Sequence, residues 1–136
     1  MGETLHKSLI LILAREFASK LATATFISDA AGRLVYYNEP AERILGRTFA
    51  EAGEMPAEEW PELFHVRFKD GRPMPLEQMP EGIAHLERRA AHDNYRITGL
   101  DGRERELSVT AFPLFARAND FVGTVIFFWE ESEADG

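Results

Sequence analysis

The chain has 136 residues, 45% of them apolar and ten of them phenylalanine, enough to bury one core without covalent staples. It has no cysteine, which excludes disulfides, thiolate catalysis and cysteine-ligated metals. A formal charge of -8 argues against phosphate-backbone binding and suits a soluble cytoplasmic protein with neither nucleic acid nor membrane among its partners.

Leu5, Leu9, Leu13, Phe17 and Leu21 recur at every fourth position, which predicts an amphipathic helix over residues 1–22. Ile10, Leu11 and Ile12 widen the apolar stripe beyond one buried face. Such a helix either packs on a sheet or also meets a second chain. The apolar run Leu9 to Ala14 is shorter than the ~7–15 residues of a signal-peptide core and far below the about 20 of a membrane span.

In "TFISDAAGRLVYYN" two β-rich runs flank Asp29-Ala30-Ala31-Gly32, a hairpin signal. Asn38 stops the second strand and caps a short helix, with Pro40 in the first turn, where its missing N–H costs nothing. Ala41, Ile44 and Leu45 give that helix one apolar side, and Gly46 ends it. From residue 48 to 75 the signals are weak: Pro56 and Pro61 interrupt, and "KDGRP" is a turn. A second helix is expected from Leu76 or Glu81 to Ala91, with Ile83, Leu86 and Ala90 on one side. Three strands follow, Asn94 to Leu100, Arg103 to Leu114 and Phe121 to Trp129, the first two joined by an Asp101-Gly102 turn. The domain thus spans 23–132, ahead of a polar tail at 133–136.

Leu107, Val109 and Ala111 alternate with Glu106, Ser108 and Thr110, as in a strand with one buried face. "FVGTVIFFW" is apolar on both sides, so the back of the sheet must be covered. The N-terminal helix is the apolar surface available to cover it, and burial contributes roughly 1.5–3 kcal/mol per large side chain. The order predicts an α+β fold, a five-stranded antiparallel sheet with flanking short helices and the N-terminal helix on its outer face.

Carboxylate runs such as "EEWPE" and "EESEAD" read as solvated surface. His65 lies near Glu62 and Asp70 without a nucleophile at a recognisable spacing, and Ser108 and Thr110 have no partnered histidine. No phosphate loop, metal spacing or nucleophile elbow is present in the sequence, so no enzyme is expected.

Several of these stretches, in this order, resemble the PAS (Per-Arnt-Sim) family of sensory domains over Ala22 to Ser132. "FISDAAGRLVYYNEPAERILG" is similar to the family's opening hairpin and asparagine-led helix, and "KDGRPMPLEQMP" to the segment before its long helix in many bacterial members. "ITGLDGRERELSVTAFPL" resembles the central hairpin and "FVGTVIFFWEES" the closing strand. Glu130 and Ser132 stand where the family often has an Asp-x-Thr signature that couples the sheet to an effector.

The resemblance implies a signal-transduction module that binds a small molecule or a second copy of itself. It implies a ligand pocket lined by Phe26, Ser28, Tyr95, Ile97, Leu107, Val109, Ala111, Thr124, Ile126 and Phe128, although a filled core explains the same residues. It also implies a homodimer contact through Leu5, Leu9, Leu13 and Phe17 on the leading helix. Flavin is disfavoured, because the adduct-forming cysteine is missing and none of Asn38, Asn94, Asn119 and Gln78 falls on the expected inner face. Haem would take His85 as its axial ligand in an apolar pocket. A fatty acid or another small apolar ligand suits the lining at least as well. The remaining reading is a ligand-free protein–protein interaction module.

Overall fold

A computed structural model describes residues 2–131, with the side chains of all but 2–8 and 57. The Leu5 side chain and Ser132 therefore lie outside the described residues. The chain runs through α1 (Gly2–Ala18), β1 (Ala24–Asp29), β2 (Arg33–Tyr37), α2 (Glu39–Leu45), α3 (Phe49–Ala52), β3 (Met55–Pro56), α4 (Trp60–Leu63), α5 (Pro80–Glu87), β4 (Ala91–Thr98), β5 (Glu104–Phe115) and β6 (Phe121–Glu130).

The six strands form one antiparallel sheet in the order β3-β2-β1-β6-β5-β4. Five strands are expected from the sequence; the sixth is the two-residue β3, pairing Met55 with Leu34 and Pro56 with Arg33. A strand this short has no readable alternation, and its proline suits an edge. At the opposite edge the segment after α4 pairs with β4: Arg67 and Arg96 exchange backbone hydrogen bonds of 3.0 and 2.9 Å. That pairing protects an otherwise open ladder.

Local chemistry sets the β2–α2 corner. Asn38 is extended and its side chain accepts from Ala41 N at 3.2 Å, with Pro40 in the first turn. Gly46 ends α2 in the left-handed region (φ 83°), where a Cβ would also stand 2.5 Å from Asp101 N. Only glycine meets both demands. The close approach lets Leu100 N donate to Leu45 O at 2.7 Å, tying α2 to the β4–β5 turn.

α5 departs from the expected helix. A single 3-10 turn at Leu76–Gln78 precedes it, and Arg88 closes it in the left-handed region (φ 58°). Its buried residues are Pro80, Glu81, Gly82 and Ala84, whereas Leu86 and Ala90 are exposed. β4 consequently begins at Ala91, three residues earlier than the sequence suggests.

The sheet has two apolar faces, as the β6 pattern requires. Inside, Phe26, Leu34, Tyr37, Leu107, Val109, Ala111, Ile126 and Phe128 join Ala41, Leu45, Trp60, Phe64 and Met79 in the main core. Outside, Ile27 and Val125 pack with Ala18, flanked by Leu11, Ala14, Phe112 and Phe127. α1 thus covers the outer face through Leu11, Ala14 and Ala18, not through the Leu9-Leu13-Phe17 row.

Candidate functional site

Between the inner face of the sheet and α2, α4 and α5 lies a cavity of about 20 Å³, walled by residues that include Phe26, Leu45, Trp60, Met79, Glu81 and Tyr95. It has room for about one water. Of the residues expected to line a pocket, Phe26, Tyr95, Ile97, Leu107 and Phe128 do so. Ser28, Val109, Ala111, Thr124 and Ile126 are buried but stand outside its wall, in packed core. Phe26 sits at the centre of an aromatic cluster, with ring centroids 5.5 Å from Tyr37 and Trp60 and 4.9 Å from Phe128.

The rest of the wall comes from the helical side, and it is not wholly apolar. Glu81, on the first turn of α5, is only 4% exposed, and Trp60, which opens α4, 2%. The Tyr95 hydroxyl donates to Glu81 Oε2 at 2.8 Å, while Glu81 Oε1 and Trp60 Nε1 make no hydrogen bond with protein. Burial pushes the Glu81 carboxyl up to about 7, against the opposing pull of its own backbone N–H and the Tyr95 hydroxyl. Burial, reinforced by the neighbouring carboxylate, also holds the Tyr95 hydroxyl well above its usual range.

Sequence reasoning missed both residues. Glu81 and Trp60 lie in acidic, proline-interrupted stretches that look like surface. The available signal was the proline itself: Pro80 and Pro61 each fall in the opening turn of a short helix, fixing where that helix begins.

His85 stands outside the chamber wall. Its ring packs beside Phe121 at 5.7 Å and against the β1–β2 turn, where a Cβ on Gly32 would meet Nε2 at 3.1 Å. Burial lowers its pKa, with Arg88 adding to the effect. A haem therefore does not fit: the proposed axial residue points elsewhere in the fold, and about 20 Å³ does not hold a porphyrin. Nor does a flavin ring find amides here, since Asn38 is committed to backbone groups at the β2–α2 corner, and Asn94, Asn119 and Gln78 are exposed. Among the described residues no group of three or more His, Asp or Glu side chains could hold a metal ion.

On the other side of the sheet α1 turns Leu9 (49% exposed), Leu13 (58%) and Phe17 (65%) toward solvent. Leu13 and Phe17 also edge an apolar groove that continues over Phe112, Leu114 and Phe127 of the sheet. No helix among the described residues is long and apolar enough to cross a membrane.

At the end of β6, Glu130 accepts from Arg105 Nε at 2.9 Å. Arg105 also donates to Asp101 at 3.0 Å and to the Arg43 carbonyl of α2 at 3.3 Å. The Arg105 guanidinium, followed by the Arg103 backbone N–H, lowers the Asp101 carboxyl to about 2. Next to it Ser108 donates to the Glu131 carboxylate.

A profile described as PAS domain matches residues 22–132. No curated protein matches the sequence. Among solved structures, the PAS domain of Bordetella pertussis BvgS is 15% identical, with a TM-score of 0.61 over 92% of this chain and 88% of its own. The PAS domain of nitrogen regulation protein NR(II) from Vibrio parahaemolyticus is 17% identical, with a TM-score of 0.57 over 88% of this chain and 98% of its own. The LOV protein of Rhodobacter sphaeroides is 12% identical, with a TM-score of 0.69 over all of this chain and 71% of its own. At these identities the likeness is one of fold.

Proposed function

This chain belongs to the PAS domain family, and we propose that it acts as a cytoplasmic sensory module that dimerises through α1 and reads a small molecule in the chamber. The observation that carries this reading is the placement of β6. Phe128 faces the chamber, while Val125 and Phe127 of the same strand face α1. A strand that contacts both layers moves them together. A ligand that favours one packing of the chamber wall shifts the seating of α1, provided it binds the two arrangements with different affinity.

The exposed Leu9-Leu13-Phe17 row, contiguous with an apolar groove, supports a second copy as the partner of α1. The Glu130–Arg105 pair supports an exit for the signal at the end of β6, toward an effector. The chamber, with room for about one water, supports a very small ligand over an acyl chain. No catalytic step is assigned.

Native mass spectrometry of freshly purified protein tests the whole reading, because it reports subunit number and any retained ligand together. The expected result is a dimer. Leu13→Glu should give a folded monomer with an unchanged far-UV spectrum. A variant that stays dimeric would remove α1 from the contact, and a wild-type monomer would remove the dimer altogether. A dimer that never retains or responds to a ligand would favour an interaction module whose chamber is filled core.

A further inference from the structure

α5 is held on the sheet by little apolar surface. Its buried residues are Pro80, Glu81, Gly82 and Ala84, whereas Leu86 is 58% exposed and Ile83 only half-buried. Proline, glycine and alanine contribute little hydrophobic attachment beside a leucine or phenylalanine. The largest side chain that the helix buries is therefore a carboxyl.

The first turn is nevertheless closely set. Met79 N donates to Leu76 O at 3.0 Å and Ile83 N to Met79 O at 2.9 Å. Gly82 lies so near the Leu76 carbonyl that any Cβ would collide with it. Opposite this turn the Tyr95 hydroxyl of β4 donates to Glu81 Oε2 at 2.8 Å, and Glu81 Oε1 has no partner in the protein.

A protonated carboxyl suits this setting better than an ionised one, whose two oxygens both demand donors. Tyr95 is the titratable group that touches it, and Trp60 of α4, Leu107 of β5 and Phe128 of β6, which line the chamber with it, carry no charge. Along α5, Arg88 acts on His85, as does Asp29 of β1, but neither charge bears on Glu81. Glu77 and Glu87, on either side, are exposed.

We propose that α5 is a proton-controlled clasp: while Glu81 is protonated the first turn is seated against β4, and ionisation of Glu81 releases that turn to solvent. The device goes beyond ligand recognition and needs nothing bound in the chamber. α5 also packs on β5 and β6, so its release alters the inner face of a strand whose outer face carries α1. Seated, Glu81 keeps its proton up to about pH 7; released, it ionises near the ordinary 4.5. Seating is therefore firmest below about 4.5, weakens as pH rises and levels off above about 7.

Amide hydrogen exchange of the whole chain, corrected for intrinsic rates, reads the clasp. Ile83 and Ala84 of α5 should exchange faster than Val109 and Ile126 of the core, through a local opening insensitive to low urea. Dividing their protection in the wild type by that in Glu81→Gln cancels the contribution of His85. The quotient should fall about tenfold between pH 6 and pH 8. If Glu81→Gln does not fold, Tyr95→Phe carries the test. The Tyr95 hydroxyl favours the ionised carboxyl, so its loss should move the pH midpoint of the opening upward.

Two results overturn the proposal. Equal exchange and equal urea dependence in α5 and the core would mean that the helix leaves only with the whole fold. A local opening whose quotient stays flat, or whose midpoint does not move in Tyr95→Phe, would mean that the proton on Glu81 does not control it. Native mass spectrometry that finds a monomer or no retained ligand removes the dimer or the ligand and leaves the clasp standing.

Discussion

Asn38 makes full use of its side chain. Oδ1 accepts from Thr25 N and Ala41 N at 3.0 and 3.2 Å, and Nδ2 donates to Ala18 O and Thr23 O, both at 2.9 Å. The cap on α2 was legible in "YYNEPA", because a cap acts on residues three positions away. The bonds to Ala18 and Thr23 were not, because nothing local brings the end of α1 to this corner. Asn38→Ala should lower stability by about 2–4 kcal/mol in urea unfolding, since it orphans buried backbone groups as well as removing bonds. A loss within experimental error would mean that backbone or water replaces them. Glu81 illustrates the opposite case. Its charge argued for solvent, and only packing reveals it beside Tyr95.

At the scale of elements, α1 carries two apolar rows. The row at Leu9, Leu13 and Phe17 is the more evident in the sequence, being larger and evenly spaced. The sheet takes Leu11, Ala14 and Ala18 instead, the two alanines letting the helix backbone approach the side chains of Ile27 and Val125. Helical periodicity identifies which residues share a face, but not which of two faces meets the sheet. Ala18→Asp places a charge in that contact and should unseat α1 while the inner core stays folded. The expected readout is faster tryptic cleavage at Lys20 with the near-UV spectrum of the inner aromatics preserved. Cleavage at the wild-type rate would show that the contact does not hold the helix. The strand alternation in β5 and β6 was legible for the same reason that the α1 face was not. A period of two leaves each residue only two directions, and one is the core.

At the scale of the whole molecule, two sets of carboxyls pull the pH dependence of stability in opposite directions. Glu81 has its folded value raised from 4.5 to about 7. Between these values the unfolded chain has lost the proton and the folded chain keeps it, so stability is full below about 4.5 and falls as pH rises to about 7. The loss is on the order of 3 kcal/mol. Asp101, with its value lowered from 3.8 to about 2, acts in the other sense: its contribution is present above 3.8 and lost as pH falls toward 2. Glu51 and Asp70 are lowered as well. The Glu81 contribution should therefore be full below about pH 4.5 and decline toward neutrality, opposed in part by His85, whose lowered pKa adds stability as pH rises toward 6.5. Glu81→Gln should flatten the decline on the neutral side and leave the acid side unchanged, as read from urea midpoints between pH 3 and 8. An unaltered profile would place the neutral-side titration in another group.

The sequence by itself determined the elements whose physics is local: the capped β2–α2 corner, the hairpins at Asp29–Gly32 and Asp101-Gly102, and the two-faced β6. Each depends on groups within a few residues of one another or on a period of two. Tertiary structure alone decided that Trp60 and Glu81, from two short helices, come to face the same small chamber. It also decided that β3 completes an edge and that α1 rests on Leu11, Ala14 and Ala18. Burial of a charge or an indole is a property of what surrounds it, and those surroundings arrive from other elements of the chain: Tyr95 stands 14 positions from Glu81.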